Sequence, residues 1–376
     1  MSRDIEVTAE TPLLRNVAIP ETISSTRLEK MTNPDGSLTS QILFPPHAFT
    51  HAYTSKPRRK LPQAIAHRGF KAKFPENTMG AFAGAIRAGA HAIETDLHLS
   101  KDGVVVISHD MTLERCFGRP EKIVDCDWSY LSTLQTLKEP HESMPRLKDV
   151  LDLLAKPGLE QVWLMLDIKV CVTRDGIAHW RNEYSLHVQM DNDPTTIIRN
   201  ISTTISSVAT SAPWQSRIVL GCWAAKYLPL CAHYLPGFPI THIGFSTSYA
   251  RQFLSVPNVS FNMLLPILMA PGGRRFIKDV QGQQRPIFAW TVNEEKKMEW
   301  CIRKGLDGVI TDDPELFLKV CERYDEGSKR QRLPVLMLLN VVRIWLSVLV
   351  LRILYRKRFD RVKDQRLILR GSSFGR

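Results

Sequence analysis

Between residues 63 and 110 the chain carries His67-Arg68-Gly69, Pro75-Glu76-Asn77-Thr78, Glu94-Thr95-Asp96, Lys101-Asp102-Gly103 and His109-Asp110. Two histidines, an arginine and two alternating carboxylates within so short a span suit the cleavage of a phosphodiester. The arginine and a carboxylate-bound divalent cation would neutralise the phosphate, while His67 and His109 act as general base and general acid. One positioned acid or base supplies only ~10²–10⁴ in rate. Charge stabilisation by the metal and Arg68 must provide much of the remainder.

Glu94 and Asp96 stand two apart on a strand, so they point to the same face. Two inward carboxylates that close repel unless a positive charge lies between them. A hard divalent cation, Ca²⁺ or Mg²⁺, is the simplest answer for an all-oxygen set. Asp167 and Lys169 repeat the spacing at the end of the apolar run 162–168. Asp167 would complete a three-carboxylate metal site and Lys169 would face the phosphate. Glu76 would orient a ligand or Arg68, and Trp290 is either core or a wall of the substrate pocket. For Asn77, capping of the following helix competes evenly with a functional role; Thr78 is the other cap candidate. His91, His98 and His141 read as structural, and Asp312 and Asp313 before Pro314 read as caps of the last helix.

The elements that must hold these residues follow from the apolar pattern. Short apolar runs at 64–67, 92–99, 104–108, 162–168, 218–222, 241–245, 259–264, 287–291 and 308–310 predict strands. Helix-length amphipathic stretches such as 78–88, 147–155, 196–208, 226–234, 294–304 and 314–322 lie between them. Strand then helix, repeated about eight times over roughly 260 residues, fits a TIM (β/α)8 barrel, whose chemistry sits at the C-terminal strand ends. A doubly wound sheet shows similar alternation, but charged residues at strand ends throughout favour the barrel.

The formal charge of +12 is concentrated in the tail: residues 327–376 hold 13 Lys and Arg against two acids, a net of +11. The remaining +1 argues against a nucleic-acid groove on the body. Seven scattered cysteines without a C-x-x-C read as buried thiols in a reducing compartment, and no secretory h-region interrupts this cytosol-facing assignment. Residues 1–60 read as a proline-broken N-terminal extension, partly disordered, with an apolar patch at 42–49 able to pack on the 61–324 barrel. The 325–376 tail contains a largely apolar stretch, 333–354, flanked by basic clusters. Its length approaches the ~20 residues of a bilayer span, yet Asn340, Arg343 and Ser347 share one helical face. A centrally placed Arg costs ~2.5–3.5 kcal/mol on insertion scales. A monotopic, membrane-associating helix or shallow hairpin on an anionic surface accounts better for both basic flanks. The endoplasmic reticulum, lipid droplets and the mitochondrial outer surface are the candidate membranes.

Taken with Trp290-Thr291-Val292-Asn293 and Gly308-Val309-Ile310-Thr311-Asp312, the motifs resemble the glycerophosphodiester phosphodiesterase family over about residues 63–320. The resemblance implies a TIM barrel with His67 and His109 as acid and base, Arg68 on phosphate, and Glu94 and Asp96 on Ca²⁺ or Mg²⁺. The family's third ligand is usually a glutamate before x-Lys; here Asp167 offers a shorter arm. Phe70-Lys71-Ala72-Lys73-Phe74, Leu164-Met165-Leu166-Asp167-Ile168-Lys169 and the tail are most similar to the family's fungal phospholipases C. That similarity implies a phospholipid substrate, phosphatidylglycerol in particular, cleaved to diacylglycerol and glycerol phosphate. Deacylated glycerophosphodiesters or lysolipids are the alternative substrates, and an inactive lipid-binding protein is the alternative of another class.

Overall fold

The computed structural model describes residues 44–55, 59–168, 193–325 and 335–354. Eight parallel strands form the centre: β1 (Gln63–His67), β2 (Ala92–Leu99), β3 (Trp163–Ile168), β4 (Ile218–Cys222), β5 (Ile240–Gly244), β6 (Ser260–Leu264), β7 (Ile287–Trp290) and β8 (Gly308–Thr311). Each pairs with its neighbour, and β8 returns to β1 with Thr311 beside Ala66, closing the barrel. All nine predicted strand runs form, the ninth being Val105–Ile107, which lies antiparallel on the end of β2. The turn between them uses Gly103 at φ +82°, a conformation that costs a side-chain-bearing residue energy.

Alternation along the strands sorts the barrel into two apolar compartments. Ile65, Ala92, Trp163, Met165, Val219, Phe288 and Ile310 fill the interior. The odd-even partners, such as Ile93, Leu164, Leu166 and Leu220, face the helices. Glu94 and Asp96 share parity with Ala92, and Asp167 with Met165, so all three carboxylates point inward above the apolar plug. Outside lie α1 (Met79–Arg87), α2 (Leu147–Leu154), α3 (Pro194–Ser206), α4 (Tyr227–Tyr234), α5 (Gly273–Gly282), α6 (Glu295–Arg303) and α7 (Pro314–Arg323). Thr78, Asp193 and Asp313 cap α1, α3 and α7 through their side chains. The helix α5 and the short helix Leu265–Met269 add to the sequence reading. Pro266 and the Pro271-Gly272-Gly273 run mask them, yet Phe276, Ile277 and Val280 give α5 a buried face.

Residues 44–55 and 59–60, placed in the N-terminal extension by sequence, pack on the barrel from their apolar patch. Phe49 meets Trp163 edge-on at 5.8 Å. Gln63 donates to the Phe49 and His51 carbonyls and accepts from Trp163 Nε1, each at 2.7 Å. Asp307 accepts from the Ala52 and Ile287 amides. These bonds satisfy backbone groups at the N-terminal end of the barrel, away from the strand ends that carry the chemistry.

A last helix, α8 (Val335–Leu354), packs against Leu265–Met269, the helix leaving the C-terminal end of β6. Val341 is buried, whereas Val335, Leu339, Val342, Leu346 and Val350 form an exposed apolar stripe at near-heptad spacing. Among the described residues, no helix is long and apolar enough to cross a membrane. Lys169 lies outside the described residues.

Candidate active site

The local backbone after β1 is dictated by its sequence. Arg68, Gly69 and Asn77 all have positive φ (58°, 81° and 58°). At Gly69 a Cβ would stand 2.7 Å from Ala81, so glycine is required both by conformation and by the approach of α1. The left-handed turn costs Arg68 roughly 1–2 kcal/mol. It is held by the Arg68 amide, which donates to the Glu94 carbonyl (2.9 Å) and to Glu94 Oε2 (3.2 Å).

Above the apolar plug, Asp96 on β2 sits in register with Asp167 on β3. One ligand oxygen from each of Glu94, Asp96 and Asp167 lies within 4.8 Å of the others, and the residues are 5%, 1% and 3% exposed. Three buried carboxylates this close are mutually repulsive without a cation, and an all-oxygen set matches a hard divalent ion. The residues therefore fit the group that the sequence implied. Each carboxylate is also aimed. Asn77 Nδ2 donates to Asp96 Oδ2 (2.9 Å), with its own carbonyl held by Thr95 Oγ1 (2.8 Å). Trp223 Nε1 donates to Asp167 Oδ1 (2.7 Å). Asn77 thus orients a site carboxylate, and Thr78 alone caps α1.

Arg68 crosses the site, its Nε 3.2 Å from Asp96 Oδ2 and its Nη1 2.8 Å from Glu76 Oε1. Burial pushes the Glu76 carboxyl up, but the Arg115 hydrogen bond and the charges of Arg68, Arg115 and Lys71 prevail and hold it down at about 2. Glu76 is therefore an anion that orients Arg68.

His67 Nδ1 bonds Asp312 Oδ1 at 2.6 Å. Asp312 was expected as a helix cap; Asp313 alone performs that task, and Asp312 faces the barrel mouth. Asn293 fixes Asp312 by donating to Oδ2 (2.8 Å) and accepting from its amide (2.9 Å). Burial lowers the His67 pKa and Asp312 only partly offsets it, so the ring is neutral near pH 7. With Nδ1–H given to Asp312, Nε2 keeps its lone pair. His109 stands half-exposed on the rim with Nδ1 2.7 Å from Asp110 Oδ1. Burial raises the Asp110 carboxyl, but hydrogen bonds from His109 and Arg115 outweigh it and keep Asp110 ionised.

Trp290 reaches the mouth at the end of β7, where its ring meets Trp223 edge-to-face at 5.6 Å and its Nε1 donates to the Asn262 carbonyl. The Phe245 ring also lies against Trp223, at 6.4 Å. The structure thus gathers His67, Arg68, Glu76, Glu94, Asp96, His109, Asp167 and Trp290 at one end of the barrel. It adds Asp110, Arg115, Trp223, Asn293 and Asp312, which sequence reasoning had not given site roles, and decides for Asn77 between the two readings left even. The signal for Asp312 was barrel closure itself, since β8 must lie beside β1. Trp223 follows β4, the neighbour of β3, by the same logic. His98 gives its Nε2 to the His109 carbonyl (3.4 Å) and serves the backbone.

This arrangement can bind a phosphate between a cation and a guanidinium, with a neutral imidazole beside it. The sequence profile of the glycerophosphoryl diester phosphodiesterase family matches residues 67–316, about two thirds of the chain. A glycerophosphodiester phosphodiesterase of Bacillus altitudinis is 24% identical over 267 residues, covering 69% of this chain and 97% of the relative. A lysophospholipase D of Mus musculus is 22% identical over 311 residues, covering 70% and 83%. Among solved structures, an Oleispira antarctica phosphodiesterase in complex with the product sn-glycerol-3-phosphate aligns with a TM-score of 0.56 at 19% identity, covering 70% of this chain and 97% of that one. The profile spans β2 to β8 and the last residue of β1, and the chain belongs to the glycerophosphoryl diester phosphodiesterase family.

Proposed function

We propose that the protein is a metal-dependent phosphodiesterase that hydrolyses glycerol-bearing phosphodiesters, with glycerophosphodiesters and lysophospholipids as its substrate class. The observation that carries this reading is the convergence of the Glu94–Asp96–Asp167 cluster, Arg68 and the Asp312-bonded His67 at one barrel mouth. A divalent cation held by the three carboxylates supplies charge neutralisation to the phosphate when bound. Arg68, fixed by Glu76, binds a non-bridging oxygen and compensates charge as the phosphorane forms. His67 Nε2 takes the proton of the attacking oxygen, from water or a neighbouring glycerol hydroxyl. His109 returns a proton to the departing alcohol oxygen, and Asp110 holds its ring for that step. The half-buried Trp223, Trp290 and Phe245 give the mouth an apolar wall for the non-reacting part of the substrate.

A second reading is favoured by α8. Its exposed apolar stripe lies on a helix docked at the mouth end of the barrel, and its sequence flanks are basic. With the Asp167-Ile168-Lys169 variant, this supports attachment to an anionic membrane surface facing the cytosol and cleavage of intact phosphatidylglycerol to diacylglycerol and glycerol phosphate.

Product analysis with purified full-length protein separates the two. Glycerophosphocholine, lysophosphatidylcholine and vesicles of phosphatidylglycerol are each incubated with Ca²⁺ or Mg²⁺, and with a chelator. Turnover of the first two that the chelator abolishes supports the main reading, and diacylglycerol released from the vesicles supports the second. No turnover of any diester, or turnover indifferent to chelation, overturns the assignment.

A further inference from the structure

Arg115 lies on the one-turn helix Glu114–Phe117 just beyond His109, and its guanidinium bonds in two directions. Nη2 donates to Glu76 Oε1 (2.6 Å) and Nε donates to Asp110 Oδ2 (2.6 Å). Glu76 Oε1 also accepts from Arg68 Nη1 (2.8 Å), and Asp110 Oδ1 is the partner of His109 Nδ1 (2.7 Å). A single chain of charge-assisted bonds therefore runs from the phosphate arginine to the second histidine, and Arg115 is its central link. We propose that Arg115 is a positioning residue that sets Arg68 and His109 in one fixed relation across the mouth; the inference rests on the roles given to those two residues above.

The argument is geometric. Arg68 leaves the barrel after β1, and His109 leaves it after the antiparallel hairpin, on separate loops. Among the described residues, Arg115 is the side chain that spans the carboxylates of both. The side chain is 49% exposed, whereas that of Glu76 is 8% exposed. An ion pair at such an exposed rim adds little to stability. Orientation is what it can supply, because a guanidinium has donors in a rigid planar fork. Lysine lacks this fork: one ammonium is a point charge on a flexible stem and does not hold two carboxylates at a set angle. Without Arg115, Glu76 keeps Arg68 and Lys71, 3.5 Å away, as partners. Among the described residues Asp110 then keeps His109 alone as a side-chain partner, so no second side chain fixes the angle of that pair. The clamp touches neither phosphate nor leaving group, so its loss should appear in the rate of the chemical step.

Full-length Arg115→Ala and Arg115→Lys, loaded with Mg²⁺ or Ca²⁺ and assayed on glycerophosphocholine, test this. The expected result is a kcat lower by ~10–100-fold, the range seen when partners that orient an active group are removed, with KM little changed. Arg115→Lys should recover little of it. Added ethylguanidinium should restore turnover to Arg115→Ala and none to His109→Ala, a rescue that a purely structural arginine would not show. A second readout needs no substrate. The His109 ring, followed by ¹⁵N NMR with histidine-selective labelling and assigned with His109→Gln, should hold one tautomer in the native chain and mix two in Arg115→Ala. Native kcat in Arg115→Ala, a loss confined to KM, or an unaltered His109 ring overturns the proposal. A native protein inactive on every diester sinks the functional reading instead, and the NMR result then decides this one alone.

Discussion

Both oxygens of Asp312 are engaged, one by His67 and one by Asn293, which leaves the carboxylate no freedom to rotate. Burial raises its pKa, but the hydrogen bond to His67, the nearby charge of Lys71 and the hydrogen bond from Asn293 bring it below the usual range, so it is an anion throughout the neutral region. Asp312→Asn keeps the shape and removes the charge that selects the His67 tautomer. Its kcat should fall ~10²-fold or more, inside the ~10²–10⁴ that a positioned base contributes, while KM holds. An Asp312→Asn enzyme with native turnover would show that His67 needs no partner. At this scale the sequence was legible wherever a residue's task depends on local spacing. Glu94 and Asp96 could be paired by strand parity, and Thr78 and Asp313 by cap position. Asn77, Arg115, Trp223 and Asp312 act on groups distant in the chain or around a tight turn, and no periodicity encodes such contacts.

The elements were legible for a related reason: barrel strands are uniformly apolar and bounded by polar ends, so their existence follows from composition alone. The segment beneath the barrel was harder, because Phe44 to Thr50 has no period and is anchored through single side chains. His47 is one of these, 3% exposed and bonded to Thr50 Oγ1 and to the Asn258 carbonyl. Burial drives its pKa from 6.5 to about 4. The sign follows from linkage. Above pH 6.5 neither state is protonated at this ring and stability is unaffected. Between 6.5 and 4 the unfolded chain binds a proton that the folded chain refuses, so stability falls as pH falls. At ~1.4 kcal/mol per unit, His47 costs ~2 kcal/mol at pH 5 relative to pH 7. His242, fully buried and stacked at 4.0 Å on Phe253, adds a loss of the same sign, its pKa pushed down to about 3 by burial. Urea midpoints at pH 7 and pH 5 should therefore differ less in His47→Gln than in the native protein. An equal difference in both would remove His47 as a source.

For the molecule as a whole, α8 joins the question of substrate to that of place. Five apolar side chains exposed in one line on a helix would be a solubility liability on a protein free in water. Removing residues 327–376 should move the protein from phosphatidylglycerol-containing vesicles to the supernatant in co-sedimentation, and Leu339→Glu with Leu346→Glu should do the same in the full chain. Turnover of a water-soluble diester should persist in both. Vesicle binding unchanged by either would mean that the stripe serves another surface. The closure of β8 onto β1 has a further consequence, in time rather than in space. His67 and Asp312 are 245 residues apart in the chain. At ~5–20 residues per second a ribosome takes on the order of 10–50 s to make the stretch between them. For most of that interval the growing chain has His67, Arg68, Glu94 and Asp96 but not the carboxylate that bonds His67. On the proposed mechanism, turnover is thus withheld until the final barrel strand is synthesised.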